Sequence, residues 1–243
     1  MTGDLRGAIA QLGWGVTAIA LLAGAAGLSA RLDAFHRAEG GARYPVPRPD
    51  VVRAVATGYD DVLADAFWLQ FLQYDGAKLT ENPATRRWQH IWDGLRLITG
   101  LDRHFQDAYL FGSWVLSDAD HPRQAEALLE RAIARDRRWP AFAERPRYDF
   151  QLGFVRFLYL HDYASAGQAF RRAANLASHP PYRDPYLEEA GLRMSAGMAE
   201  RQGHRRLAVS IWNMLYRHAA ATHDRRMEAI AARALARLSG RRS

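Results

Sequence analysis

The sequence predicts an all-α protein, with a single N-terminal transmembrane helix followed by a solenoid of about four helical hairpins. Three observations support this fold class: an uncharged apolar segment near the N-terminus, a repeat with a period of 41 or 42 residues, and the lack of any segment with β-strand periodicity. The 243 residues are 49% apolar and 24% charged, as is typical of a folded protein. The chain has no cysteine, which excludes disulfides, thiolate metal sites and a cysteine nucleophile.

The N-terminal region contains a long apolar segment. Residues 7–30 carry no charged side chain. A helix of this length would extend about 36 Å, enough to cross a bilayer core of about 30 Å. We therefore interpret residues 1–31 as an uncleaved transmembrane anchor. A cleaved signal peptide is the main alternative, although Leu28 is a poor residue three positions from a cleavage site at Ala30.

Residues 38–50 have the composition of a tether. Paired glycines are followed by Pro45, Pro47 and Pro49 at alternate positions. Such a sequence favours an extended, polyproline-like chain. We expect this tether to connect the anchor to a helical domain of residues 51–238, which is followed by a basic tail of residues 239–243.

An internal repeat organises the helical domain. Each copy has an alanine, a bulky residue four positions later and an apolar residue three positions after that, which is the spacing of one helix face. A small residue upstream recurs with the same period, so each unit is predicted to pair a helix A, carrying the small residue, with a helix B, carrying the triplet. Small side chains would let helices approach closely, and stacked hairpins would bury faces that one hairpin cannot. The triplets are Ala84–Trp88–Ile91, Ala125–Leu129–Ala132, Ala166–Phe170–Ala173 and Ala208–Trp212–Leu215, and the small residues are Gly112, Gly153 and Ser195.

The periodicity and the turn signals between segments divide the domain into ten helices. We interpret Trp88 and Trp92, which share a predicted helix face with Ile91 and Leu95, as core between hairpins and not as a ligand-binding stripe. The predicted helices span residues 50–56, 60–77, 84–99, 104–117, 122–136, 147–160, 163–177, 184–201, 205–220 and 223–238.

The repeat resembles the tetratricopeptide repeat (TPR) family. The unit most similar to the family pattern has Leu152–Gly153–Phe154 on helix A, followed by Asp162–Tyr163 and the triplet that ends at Ala173. Ser195 departs from the glycine that is usual at its position, and the first unit keeps only its helix B triplet. The period also exceeds the usual length of the family's repeat. The resemblance implies a right-handed α-solenoid of degenerate repeats.

Further short segments match a wider pattern: Ala64–Asp65 with Trp68–Leu69, Leu101–Asp102 before Phe105, Tyr109 and Gly112, and Leu152–Gly153–Phe154 before Asp162–Tyr163. Through them residues 59–238 as a whole resemble bacterial membrane-anchored TPR proteins, whose repeats are generally placed outside the cytoplasmic membrane. The resemblance implies a periplasmic repeat domain on a single-pass anchor in the cytoplasmic membrane. The four arginines between residues 31 and 48 favour the opposite orientation, whereas a short N-terminal tail rarely crosses the membrane first. The resemblance carries no catalytic residue and implies a groove, lined by helices A, that binds peptides or helices. The candidate groove residues are Gln70, Tyr74, Tyr109, Ser113, Arg156 and Phe157.

No motif in the sequence indicates a reaction. There is no GxGxxG after a strand, no GxxxxGK[ST] and no GxSxG, and the nine histidines do not have the spacing of metal ligands. We therefore expect no enzymatic activity, no metal site and no cofactor. Glu130 is expected to pair with a nearby arginine, an interaction worth only about tenths of a kcal/mol at the surface.

The segment YDDVLADAFWLQFLQYDG at residues 59–76 places three acids among aromatic side chains. We interpret it as helix A of the first hairpin, in which Asp60 or Asp61 lies in the first turn and caps the helix. Asp65 is expected to be partly covered and to make a structural hydrogen bond. A second carboxylate facing Asp65 across an open cleft would instead indicate a catalytic pair. The face expected to pack on Trp88 and Ile91 comprises Ala64, Trp68, Phe71 and Leu72.

Positive charge is concentrated at the C-terminus. Residues 193–243 contain eleven arginines and three acids, whereas the whole chain has a net charge of +7. The first interpretation is a solvated capping helix that keeps the end of the solenoid soluble. Contact with anionic lipid or an acidic partner is the second, and nucleic-acid binding, which a periplasmic location would exclude, is the third. The candidate basic surface comprises Arg225, Arg226, Arg233 and Arg237.

Two functions fit these observations. The first is a membrane-anchored scaffold, an accessory or assembly subunit that mediates protein–protein interaction in a bacterial membrane or envelope complex. The second is a structural subunit whose transmembrane helix docks into a larger membrane complex, with the solenoid as an extramembrane cap. The expected partners are other protein subunits and, through residues 7–30, membrane lipid. Nucleic acid is not expected as a partner.

Overall fold

The computed structural model describes residues 46–56, 58–82, 88, 90–136 and 144–240. The chain divides into two units, Met1–Pro45 and Val46–Ser243. The predicted anchor and most of the predicted tether belong to the first unit and lie outside the described residues. The last three residues of the predicted basic tail belong to the second unit and also lie outside the described residues. Among the helices that are described, none is long and apolar enough to span a membrane.

Helices account for all the regular structure of the described residues, which confirms the all-α class. The sixth α-helix continues directly into a π-helical turn, Val155–Tyr159. In chain order the helices are α1 (Pro49–Ala56), α2 (Asp60–Leu79), α3 (Ile91–Leu101), α4 (Gln106–Asp118), α5 (Pro122–Asp136), α6 (Arg145–Phe154), α7 (Tyr163–Ala177), α8 (Pro185–Arg201), α9 (Arg205–Thr222) and α10 (Arg225–Leu238).

Most predicted helix bounds agree with the structure to within about three residues, but the helix predicted at 84–99 does not. It begins only at Ile91, and Trp88 lies before it. His90, the residue before α3, has a left-handed backbone with φ 59°. This conformation stops a helix from continuing through it. The prediction that Trp88 and Ile91 share one helix face is therefore wrong. Trp88 packs instead against Tyr74 of α2, with 6.3 Å between ring centroids.

Each helix from α3 onward packs on the helices before and after it in the chain. Some helices two positions apart are also in contact, namely α4 with α6 and α6 with α8. This arrangement buries the repeat residues. Ten of the residues that define the repeat pattern are buried: Gly112, Ala125, Leu129, Ala132, Gly153, Ala166, Phe170, Ala173, Ala208 and Trp212. Ile91, Ser195 and Leu215 are buried as well, Trp88 is half-buried, and Ala84 lies outside the described residues.

The small residues of the repeat lie where helices approach most closely. A Cβ atom added to Gly112 would lie 2.5 Å from Leu95 of the preceding helix, and one added to Gly153 would lie 2.6 Å from Phe170 of the following helix. Ser195 faces the preceding helix, where its hydroxyl donates a hydrogen bond to the Gly167 carbonyl at 3.1 Å. The close approach that the sequence predicted is present at all three positions, but its partner alternates between the preceding and the following helix.

The first turn of α2 contains Asp60 and Asp61, as predicted, but neither caps the helix, and Asp60 Oδ1 is buried without a hydrogen-bond partner among the described residues. The residue before the helix is Tyr59, whose side chain makes no capping hydrogen bond. Asp65 is exposed, so the prediction that it is partly covered is wrong. Asp65 follows the buried Ala64 directly, so its side chain points about 100° away from the face that buries Ala64 and Phe71. Leu72, which was predicted to lie on that buried face, is 36% exposed.

Candidate interaction groove

The residues predicted to line a groove do not form one surface. Tyr74, Tyr109 and Ser113 are 5%, 1% and 0% exposed, which makes them core residues and contradicts their prediction as groove residues. They lie on the helix faces that contact neighbouring helices. Gln70 is partly exposed.

The other two predicted groove residues, Arg156 and Phe157, belong to the π-helical turn and are held by neighbours. The Arg156 guanidinium donates to Glu126 at 2.8 Å and to Glu130 at 2.7 Å, both on α5. The second of these bonds confirms the predicted pairing of Glu130 with an arginine. Phe157 is covered by the guanidinium of Arg201, 5.3 Å from the ring centroid.

The π-helical turn also fixes Tyr159. Its hydroxyl donates a hydrogen bond to the Asp118 carboxylate at 2.6 Å, across to the end of α4. Burial and then this carboxylate raise the pKa of Tyr159 to about 12. The turn thus ties α6 to both helices of the preceding pair through ionic and hydrogen-bonded contacts.

A groove of about 560 Å³ lies between α7 and α9, with α8 beneath it. A second depression of about 240 Å³ shares Gln168 and Arg171 with it and extends it toward the start of α9. We call the two together the α7–α9 groove. Its lining residues include Gln168, Arg171, Arg172, Asn175, Glu188, Leu192, Ser195, Leu207, Ile211 and Met214.

The α7 wall of the groove is polar. Gln168, Arg171 and Asn175 are three and four positions apart, so they form one stripe along the helix, and all three are exposed. Arg171 pairs with no other described residue. The Arg172 guanidinium, by contrast, donates to the fully buried Asp149 carboxylate at 2.9 Å. Arg172 is therefore held by an ion pair within the domain, whereas Arg171 is available to a partner.

The α9 wall is apolar. Leu207, Ile211 and Met214 follow the same helical spacing and face the α7 wall across the groove. Leu207 is 37% and Met214 is 54% exposed, although both are large apolar side chains. The groove thus presents a hydrogen-bonding wall opposite an apolar wall.

Helix α8 forms the floor because it approaches α7 very closely. A Cβ atom added to Gly191 would lie 2.7 Å from the carbonyl oxygen of Phe170, a backbone atom that cannot move aside. Leu192 of α8 is buried and lines this floor. At one end Glu188 faces His218 of α9, with 3.9 Å between the carboxylate and Nδ1.

The candidate basic surface lies on α10. Arg225, Arg226, Arg233 and Arg237 are all exposed, as predicted. Arg237 also donates to Glu200 of α8 at 2.6 Å. The opposite face of α10 buries Met227, Ala231 and Ala234 against α9, so the helix covers the end of the core.

No group of three or more histidine and acidic side chains among the described residues could hold a metal ion. No protein-family model matches the chain, and no curated protein or solved structure matches it either.

The sequence contains a signal for the α7–α9 groove, although the prediction placed the groove elsewhere. Gln168, Arg171 and Asn175 form a polar stripe on the helix that carries the most regular triplet. Exposed Leu207 and Met214 lie on a helix whose other face already supplies the core. These two exposed stripes lie on α7 and α9, which are successive B helices of the repeat. Stripes that are not used in the core on successive B helices indicate a shared surface between those helices.

Proposed function

We propose that the protein is a membrane-anchored scaffold with a TPR-like, right-handed α-solenoid, which acts as an accessory or assembly subunit of a bacterial membrane or envelope complex. The repeat of buried small and bulky residues and the contacts between successive helices support the solenoid. The uncharged residues 7–30 support the anchor. The resemblance to anchored TPR proteins supports a periplasmic location of the repeats.

The α7–α9 groove carries the scaffold proposal. An amphipathic helix places apolar side chains on one face and polar ones on the other, and helices of this kind bind in grooves. The apolar wall around Met214 would receive the apolar face, and Arg171 would pair with a carboxylate on the polar face. We therefore propose that the partner contributes an amphipathic segment with an acidic residue, an assignment based on charge complementarity with Arg171.

The test introduces a negative charge at exposed positions inside and outside the groove. In the full-length protein, Arg171→Glu removes the free cation of the groove, and Met214→Asp places a charge on its apolar wall. The matched control is Arg193→Glu, because Arg193 is an exposed arginine on α8 that does not line the groove. Partners are recovered from detergent extract with each variant and identified.

We expect both groove variants to lose a partner that the Arg193→Glu variant keeps. A peptide of the partner's acidic amphipathic segment should then compete for binding to the wild-type protein. Retention of every partner by both groove variants would refute the groove as the binding site.

The alternative function, a structural subunit held by its transmembrane helix, makes a different prediction. Residues 38–243, expressed without the anchor, would then lose the partners that the full-length protein retains. A reporter fused after Ser243 that is active only outside the cytoplasm tests the proposed orientation.

A further inference from the structure

Three arginines converge where α3 and α5 end side by side. Arg135, near the end of α5, donates a hydrogen bond to the Thr99 carbonyl of α3 at 2.6 Å, and also bonds the Tyr109 hydroxyl. Arg131 precedes Arg135 by one helical turn and lies on the same face of α5. Arg96 lies one turn before Thr99 on α3, close enough to Arg131 for its charge to lower the pKa of Arg131.

Arg135 has a structural role at the end of α3. The Thr99 carbonyl belongs to the last turn of α3, where the negative end of the helix dipole attracts a cation. Arg135 supplies that cation, and Arg53 of α1 supplies another by donating to the Gly100 carbonyl. The end of α3 is thus already capped without Arg96 or Arg131.

The remaining two arginines lack an acidic partner among the described residues. Neither Arg96 nor Arg131 forms an ion pair with a carboxylate of the described residues. Arg96 lies over the ring of Trp92, with 5.9 Å from its guanidinium carbon to the ring centroid. This stacking orients the guanidinium but does not neutralise it.

The electrostatic environment of Arg131 is unfavourable for a cation. Burial lowers the pKa of Arg131, and the positive charges of Arg135 and Arg96 lower it further, while Tyr109 acts in the opposite direction. Like charges held together in a partly buried site repel one another, and a bound anion relieves that repulsion. Arginine donors in a planar fork match the oxygens of phosphate and carboxylate groups.

We propose that Arg96, Arg131 and Arg135 form a binding site for an oxyanion, a phosphate or a carboxylate group. Arg131 occupies the middle of the cluster and would make the main contact, and Arg135 is oriented for it by Thr99 and Tyr109. The site lies on α3 and α5, away from the α7–α9 groove, so it does not depend on the proposed scaffold function.

The full-length protein is titrated with inorganic phosphate and, separately, with malonate, at an ionic strength held constant with sodium chloride. We expect saturable binding of one anion per chain by calorimetry. At a free anion concentration about ten times Kd, the melting temperature should rise by roughly 3–6 °C over chloride. Binding of phosphate alone would assign a phosphate ligand, whereas binding of malonate would assign a carboxylate.

Three substitutions test the assignment. Arg131→Gln should weaken binding about tenfold or more, and its melting temperature in chloride should not fall below that of the wild type, because the substitution removes repulsion. Arg96→Gln changes an exposed residue, leaves the core intact and should also weaken binding. Arg123→Gln removes the same charge from the other end of α5, where Arg123 pairs with Glu126, and should bind the anion like the wild type.

The proposal is overturned if neither anion stabilises the wild-type protein more than chloride does. It is also overturned if Arg131→Gln and Arg96→Gln both bind with wild-type affinity, since an anion would then bind elsewhere.

Discussion

The backbone of Gly153 lies against the ring of Phe170 so closely that a Cβ atom on Gly153 would be 2.6 Å from the ring carbon Cε1. The ring cannot move aside, because Phe150 and Phe154 both contact it at 5.4 Å between centroids. Glycine is therefore required here by the close approach of α6 and α7. The contact explains why the most regular unit of the repeat has glycine at this position.

Gly153→Ala should destabilise the domain by about 1–3 kcal/mol, because the added methyl group overpacks a filled core. The matched control is Gly197→Ala on α8, where a Cβ atom meets nothing within 4 Å. That substitution should stabilise the protein by about 0.5–1 kcal/mol through higher helix propensity. Urea unfolding followed by circular dichroism measures both changes. Equal effects of the two substitutions would contradict the packing argument.

Arg156→Gln should cost about 1–3 kcal/mol, because it removes charge-assisted hydrogen bonds to Glu126 and Glu130 and leaves Glu126 without its main partner. The Arg156 side chain is only 13% exposed, so water replaces these bonds incompletely. Arg48→Gln serves as the control, because Arg48 is 81% exposed and pairs with the exposed Asp50. It should change stability by less than about 0.5 kcal/mol. A similar loss in both variants, measured by chemical unfolding, would argue against a special role for Arg156.

Glu200 joins three helices and should be sensitive to truncation. Its carboxylate on α8 accepts hydrogen bonds from the indole nitrogen of Trp212 on α9 and from Arg237 on α10, both at 2.6 Å. Glu200→Ala leaves the buried indole N–H without an acceptor and should cost about 1–3 kcal/mol. Glu200→Gln keeps an acceptor oxygen and should cost less. Arg237→Gln, which loses only the exposed partner, should cost less than about 1 kcal/mol. Thermal unfolding of the three variants gives this ranking, and an Arg237→Gln effect larger than that of Glu200→Ala would reverse it.

Asp162 should make stability depend on acidic pH. Its carboxylate accepts a hydrogen bond from the Ser165 amide at 3.0 Å at the start of α7, and this bond lowers the pKa of Asp162 below its ordinary value. A lowered pKa in the folded state gives stability that is present above the unfolded pKa of about 3.9 and is lost as the pH falls through the folded pKa. At neutral pH, Asp162→Ala should cost about 1 kcal/mol, and Asp162→Asn should cost less because asparagine also caps helices.

The measurement for Asp162 is the free energy of unfolding between pH 7 and pH 2. The Asp162→Asn variant should lose less stability over the acidic range than the wild type. Parallel curves for the two proteins would show that the carboxylate does not contribute.

The sequence predicted the helices of this fold well where a single face determined the outcome. Ala166, Phe170 and Ala173 repeat at the spacing of one helix face, and all three are fully buried. Trp88 shows the limit of this reasoning. Its spacing to Ile91 matched the pattern, but the left-handed backbone at His90 separates the two residues, and side-chain periodicity does not report backbone conformation.

The candidate surfaces were harder to predict than the helices, because each surface is formed by side chains from helices that are separated in the sequence. Tyr109 and Ser113 lie on α4, which packs against neighbouring helices on both sides. Its second buried face was therefore mistaken, in the sequence, for a face exposed to solvent. The α7–α9 groove combines Arg171 with Met214, 43 positions later in the chain. Its existence depends on how closely α8 approaches α7 at Gly191, a distance that no residue pattern specifies.

The π-helical turn at Val155–Tyr159 has a rotational consequence for the helix that contains it. Each residue of an α-helix advances the direction of its side chain by about 100°, so a turn that accommodates one extra residue offsets every later side chain by that angle. Gly153, before the turn, and Tyr159, its last residue, can therefore reach Phe170 and Asp118 at the same time. Deleting one residue from the turn would bring the two ends into the phase of a regular helix and direct Tyr159 away from Asp118.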